Sequence, residues 1–322
     1  MRGAKDPVAE RRHGPAAARF TVRQWVGVIA VGAIVLVVGA ATAVIAARWM
    51  LSVEAVRDFV TRYPGVYELP ASAPVGVPAW LAWQHFFNAF LMVLIVRTGL
   101  QVRREKRPSA FWSPRGARKR KTSLTIWFHQ ALDVLWVVNG LVFVILLFAT
   151  GQWTRIVPTS AEVLPNAASA ALQYVSLDWP TENGWVAYNS LQQLAYFSVV
   201  FVASPLAVLS GARLSTAWPR GERRINRLIS IDVARRIHVR VMVFFVAFIT
   251  AHVTLVLATG ALRNLNHMFA ARGSVDPGAY ADDPTGFWLF VASITVTAVA
   301  VFAARPAVLA PIARLFGTVT VR

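Results

Sequence analysis

His238 and His252 lie 14 residues apart in one apolar stretch. In an α-helix that is close to a whole number of turns, so both imidazoles face one way, about 21 Å apart along the axis. Two other apolar stretches carry one histidine each, His85 and His129. Histidine inside a bilayer is costly and points to function by default. A lone residue of this kind would as readily bond between helices or serve a proton path. Four of them, two on one helix, match the needs of two haem groups each held by two imidazoles. Two imidazoles on one haem iron leave no open position for oxygen, which suits an electron carrier. The chain has no cysteine. That removes disulfides, thiolate-held Fe–S clusters, cysteine-bound zinc and covalent haem attachment.

These histidines need spans to hold them. The chain has 322 residues, 56% of them hydrophobic, more apolar surface than a water-soluble fold of this size hides. Six apolar runs are long enough to cross a bilayer: 24–47, 80–100, 124–148, 188–210, 237–260 and 287–304. The expected fold is all-α and integral to the membrane, six transmembrane helices with a four-helix di-haem core bundle. The net charge of +18 is concentrated in alternate segments. Arg103 to Lys121 and Arg213 to Arg236 are dense in base, as is the N-tail with Arg11, Arg12, Arg19 and Arg23. The positive-inside rule then places both termini and both basic loops in the cytoplasm. Topology and anionic headgroups account for this charge, and nucleic acid is not an expected partner. The Arg-rich N-tail shows no convincing cleavage site, so the first helix reads as a retained span.

The middle four runs carry a common mark: Thr98-Gly99, Thr150-Gly151, Ser210-Gly211 and Thr259-Gly260. Glycine suits a helix C-cap, so each pair is expected to end its helix. The expected organisation is a basic cytoplasmic tail (1–23), an extra N-terminal span with its external loop (24–79), the four-helix core (80–262) and a final loop, span and cytoplasmic C-terminus (263–322). The proline-rich 49–79 segment should be irregular, and 152–187 is long enough for a short surface helix.

Depth pairs the histidines. His129 and His238 each lie 21 residues before their closing threonine, about 31 Å, which puts both at the cytoplasmic rim. His252 lies about 10 Å from the outer end of its span. His85, on a helix running the other way, falls at a similar outer depth. So His85 pairs with His252, and His129 with His238. His13 and His267 read as non-ligands. Asp133, one turn after His129, is a candidate to orient that imidazole, take up protons or pair with a base. Asn88, Asn139 and Gly140 suit close approach of a helix or flat ring. Arg235, Arg236 and Arg240 flank His238 and suit either haem propionates or topology alone. Trp80, Trp83, Trp127, Trp153, Trp185 and Trp288 fit an interfacial belt.

The run from His85-Phe86-Phe87-Asn88 to Thr98-Gly99-Leu100 resembles the first core helix of bacterial cytochrome b561-type subunits. Tyr188-Asn189-Ser190-Leu191-Gln192 with Tyr196, Pro205 and Ser210-Gly211 resembles the third, and Ala234 to His252 the fourth. The resemblance covers about residues 80–262 and extends to the di-haem subunits of formate dehydrogenases, nickel-iron hydrogenases and thiosulfate reductases. It implies two haem b groups, one on His85 and His252 and one on His129 and His238, with menaquinone or ubiquinone as exchangeable partner. Two departures stand out. Many members have Trp after the first histidine, where this chain has Phe86. The extra first span also inverts the core relative to the usual arrangement. That inversion implies a cytoplasmic Fe–S or molybdopterin redox subunit docking near His129, and quinone exchange near the outer pair. Other functions compatible with these residues are a stand-alone transmembrane ferric or superoxide reductase, and a proton-coupled transporter without haem.

Overall fold

A computed structural model describes residues 21–116, 121–179, 183–219, 226 and 229–322. His13, most of the N-tail and several bases of both loops, such as Arg118 and Arg223, lie outside the described residues.

In chain order the elements are α1 (Val22–Ser52), α2 (Glu54–Arg62), α3 (Ala79–Arg104), β1 (Ala110–Pro114), β2 (Thr122–Ser123) and α4 (Leu124–Ala149). A short 3-10 turn (Gln152–Arg155) leads to α5 (Val163–Ser176) and α6 (Ser190–Phe197). A π-helical turn (Ser198–Ala203) joins α6 to α7 (Ser204–Leu214). Then come α8 (Ile231–Ala258), α9 (Ala261–Phe269), α10 (Thr285–Ala303), α11 (Pro306–Arg314) and β3 (Gly317–Val321). Six of these stretches are long and apolar enough to cross a membrane: α1, α3, α4, the continuous α6–α7 run, α8 and α10.

Side-chain caps start four of the spans. Thr21 and Asn189 form reciprocal capping boxes with Gln24 and Gln192. Ser123 and Ser230 accept from the amides of Ile126 and Val233, at 3.1 and 3.2 Å. Each cap satisfies an amide that has no partner in the first turn. The π turn also has a local cause. Pro205 has no amide proton to donate back along the helix, and the Ser204 hydroxyl instead reaches the Val199 carbonyl at 2.8 Å.

Met92, Ala203, Val241 and Phe245, from α3, the α6–α7 run and α8, form a core against which Trp136 of α4 packs, so all four middle spans meet there. A second cluster, Leu91, Leu94 and Leu132, takes in Ala300 and Val301, so α10 lies on the α3 flank. α1 stands outside, with Ala47 its one buried residue. It is held near its end by α5, where Arg48 Nε donates to the Ser176 carbonyl at 3.0 Å. The surface helix expected within 152–187 is α5. The expectation of an irregular 49–79 segment needs correction over its first half, which is helical through Arg62.

The hydroxyl–glycine marks also need correction. Thr150 and Thr259 do sit at C-caps, followed by Gly151 and Gly260 at φ +75° and +115°. Thr98-Gly99 and Ser210-Gly211 lie inside helices that continue to Arg104 and Leu214. Neither Gly99 nor Gly211 takes up a positive φ, so another constraint must account for them.

A small sheet, in the order β2-β1-β3, was not anticipated. The strand β3 returns antiparallel to β1, pairing Ala110 with Val321 and Pro114 with Gly317. Together with α11 it covers the start of α4, packing Leu309, Ala310 and Ala313 against Ala110 and Leu124 with Trp112, Trp127 and Phe128 around them.

Candidate functional site

At the basic end of the bundle, His129 and His238 sit in the second turns of α4 and α8. Their ring centroids are 6.4 Å apart, with planes at 84°. Each imidazole is met by the neighbouring antiparallel helix. Thr98 Oγ1 lies 2.8 Å from His129 Nδ1, and Ser210 Oγ lies 3.1 Å from His238 Nδ1. The following glycine makes room for the ring. A Cβ on Gly99 would stand 3.3 Å from His129 Cε1, and a Cβ on Gly211 3.3 Å from His238 Cε1. This is the constraint that explains the two mid-helix pairs: a hydroxyl to hold Nδ1, then a missing side chain beneath Cε1. Sequence reasoning missed the role. The signal was the five residues after Gly99, Leu100 to Arg104, which contain no helix breaker.

At the far end, His85 and His252 have ring centroids 6.3 Å apart. Aromatic rings hold this pair. Phe248, one turn earlier on α8, stacks nearly parallel on His252 at 5.7 Å. Tyr196 meets His252 edge-on at 6.2 Å, and Phe269 meets His85 edge-on at 5.5 Å. His85 Nδ1 is buried without a hydrogen-bond partner.

The centroid separations, 6.4 and 6.3 Å, are long enough for a metal to lie between the two imidazoles of each pair. A metal–imidazole bond of about 2.0–2.1 Å, plus about 1.15 Å from nitrogen to ring centre, puts two opposed rings about 6.4 Å apart. Among the described residues no group of three or more His, Asp or Glu side chains is placed to hold a metal ion. Paired histidines alone suit a cofactor that brings its own equatorial nitrogens, as haem does. The orphaned His85 Nδ1 is consistent with it.

The other singled-out residues divide. Asp133 Oδ2 is 3.7 Å from His129 Nε2, too long for a hydrogen bond. Asn88 accepts from Trp136 Nε1 at 2.7 Å, tying α3 to α4. Gly140 has open space where a side chain would be, so no close approach explains it. Arg235 pairs with Asp232 at 3.1 Å on an exposed face.

Above the far pair lies a cap of loops. Arg155 is 2% exposed and donates to the carbonyls of Gly76, at 2.6 Å, and Gly184. Its guanidinium lies 4.6 Å over the Tyr188 ring, and Tyr188 packs on Tyr196 at 5.1 Å. His267, 6% exposed, packs on Trp185 at 5.7 Å. Burial, with the nearby charges of Arg263 and Arg155, pushes its imidazole from 6.5 down to about 4.

The family model for prokaryotic cytochrome b561 matches residues 76–271. That span holds both histidine pairs and the cap. A curated relative, the putative protein-methionine-sulfoxide reductase subunit YedZ1 of Azospira oryzae, is 28% identical over 193 residues, which is 56% of this chain and 88% of the relative. No solved structure matches the chain. The chain belongs to the prokaryotic cytochrome b561 family, as a multi-pass membrane protein that binds haem b and transfers electrons.

Proposed function

We propose that the protein is a di-haem subunit that carries electrons across the membrane between a partner redox protein and the quinone pool. The observation that carries this reading is the two histidine couples, 6.4 and 6.3 Å between ring centroids, one toward each end of α8. His129 and His238 would hold one haem b, His85 and His252 the other. Held by these histidines, haem would supply one-electron chemistry between ferrous and ferric iron, and two imidazoles on each iron would leave no position for oxygen. The helix α8 contributes one ligand to each pair, and so fixes their separation at about 21 Å along its axis.

The basic loops favour a cytoplasmic His129/His238 pair, with both termini on that side. The same end offers the positive surface for a redox partner carrying Fe–S clusters or molybdopterin. The YedZ1 relative is named as a reductase subunit, which supports work with a second protein. Near the far pair, Trp83 and Phe87 turn outward toward lipid within two residues of His85. This apolar face suits a quinone, menaquinone or ubiquinone, arriving from the bilayer.

Haem quantification with reduced-minus-oxidised spectra tests the reading. Wild-type protein should hold two b haems, and His129→Ala and His252→Ala should each lose a different one. A wild-type protein without haem would overturn it.

A further inference from the structure

The two histidine pairs are held by different chemistry. The Thr98 hydroxyl lies 2.8 Å from the Leu94 carbonyl and 3.0 Å from that of Ile95, while Ser210 Oγ lies 2.6 Å from the Leu206 carbonyl. A hydroxyl has one proton and two lone pairs. With its proton engaged by the carbonyl of its own helix, each oxygen can only accept from the imidazole. The proton of His129 and of His238 must then sit on Nδ1, which leaves the Nε2 lone pair free. At the far end His85 Nδ1 has no partner, and aromatic rings surround both imidazoles.

We propose that Thr98 and Ser210 are positioning residues. They fix the Nδ1–H tautomer of His129 and His238, present Nε2 as ligand, and make the basic-end imidazoles the stronger donors. An imidazole that donates from its distal N–H gains basicity at the other nitrogen. A stronger axial donor favours ferric over ferrous iron, and axial ligation with its hydrogen bonding is a lever on haem potential. The two hydroxyls therefore lower the potential of the basic-end centre and leave the far one untouched. This inference rests on the two-haem reading above.

Redox titration and low-temperature EPR of the purified full-length holoprotein test it, the two components being assigned from His129→Ala and His252→Ala. Thr98→Val keeps the shape and removes the hydroxyl acceptor, leaving His129 only the Ile95 carbonyl. It should retain both haems, raise the midpoint potential of the basic-end component, change its low-spin signal and leave the far component unmoved. Ser210→Ala should act on the same component in the same direction. Thr98→Ser should restore the wild-type value, and Thr150→Val, which removes a hydroxyl remote from both pairs, should change nothing. If Thr98→Val loses only the basic-end haem while Ser210→Ala keeps and shifts it, positioning is equally supported. Unchanged potentials in both variants with both haems bound, a downward shift, or a shift confined to the far component would overturn the proposal. Absence of haem from the wild type would instead remove the reading beneath it.

Discussion

Arg155 lies with its guanidinium 4.6 Å over the Tyr188 ring, and through Tyr196 that ring reaches His252. A buried cation thus braces the wall of the far histidine pair. Among the described residues no acidic side chain pairs with it, so two backbone carbonyls and a ring carry its charge. Arg155→Leu removes both donations, leaving the Gly76 carbonyl only the longer bond from Gln152 Nε2 at 3.2 Å, a loss of about 2–4 kcal/mol for hydrogen bonds to a charged donor. The expected outcome is a lower melting temperature in detergent and, on the proposed two-haem reading, a changed far-end haem spectrum with the basic-end component preserved. Arg155→Lys should recover only part of the stability, because one ammonium does not reproduce a planar fork.

Gly99→Ala and Gly211→Ala should each disturb the basic-end pair. The added methyl stands 3.3 Å from an imidazole carbon, so the ring must yield by a few tenths of an ångström. Overpacking of this kind costs about 1–3 kcal/mol. Gly140→Ala meets nothing within 4 Å and is the control, expected to be neutral or slightly stabilising. Thermal melts and the low-spin EPR signal of the three variants separate the cases. A neutral Gly99→Ala would show that the close packing has no consequence.

His267 makes stability depend on pH. Its imidazole is held neutral down to about 4, against 6.5 when exposed. Between these values the unfolded chain binds the proton and the folded chain does not. Stability is therefore full above pH 6.5 and falls as pH drops toward 4, by about 3 kcal/mol at the end of that window. The difference in melting temperature between wild type and His267→Gln should vary with pH across this interval and be flat above it.

Gly317 sits opposite Pro114 in the β1–β3 pairing, and a Cβ there would fall 2.3 Å from the Ser113 carbonyl oxygen. Gly317→Val should detach β3. Hydrogen exchange at residues 110–113 should quicken, and limited proteolysis should reach residues 315–322 sooner. Unchanged protection of β1 would mean that α11 alone holds this segment.

Much of the architecture is legible in the sequence because the membrane imposes simple lengths. Rise per residue and bilayer thickness locate the six spans and bring His85 near His252 and His129 near His238. The hydroxyl–glycine pairs were harder. The same two letters close a helix at Thr150-Gly151 and cradle a ring at Thr98-Gly99, and only the residues that follow tell them apart. The β1–β3 pairing spans some 200 residues (Ala110 to Val321), and its short strands carry no strong pattern of their own. The burial of His267 depends on Trp185, and its lowered pKa in part on Arg155, both from other segments that no local window contains; only Arg263 is on its own helix.

The return of β3 to β1 also divides the molecule in time. Among the described residues, the rings that touch His85 and His252 belong to Tyr196, Phe248 and Phe269. All precede residue 270, so the ribosome has delivered the far pair's immediate walls before α10 begins. The opposite end stays open longer. Trp112 waits for the Ala313 carbonyl that its indole nitrogen meets at 3.1 Å, and Ala110 waits for Val321. Synthesis therefore finishes the two ends in sequence, with the floor beneath His129 laid last.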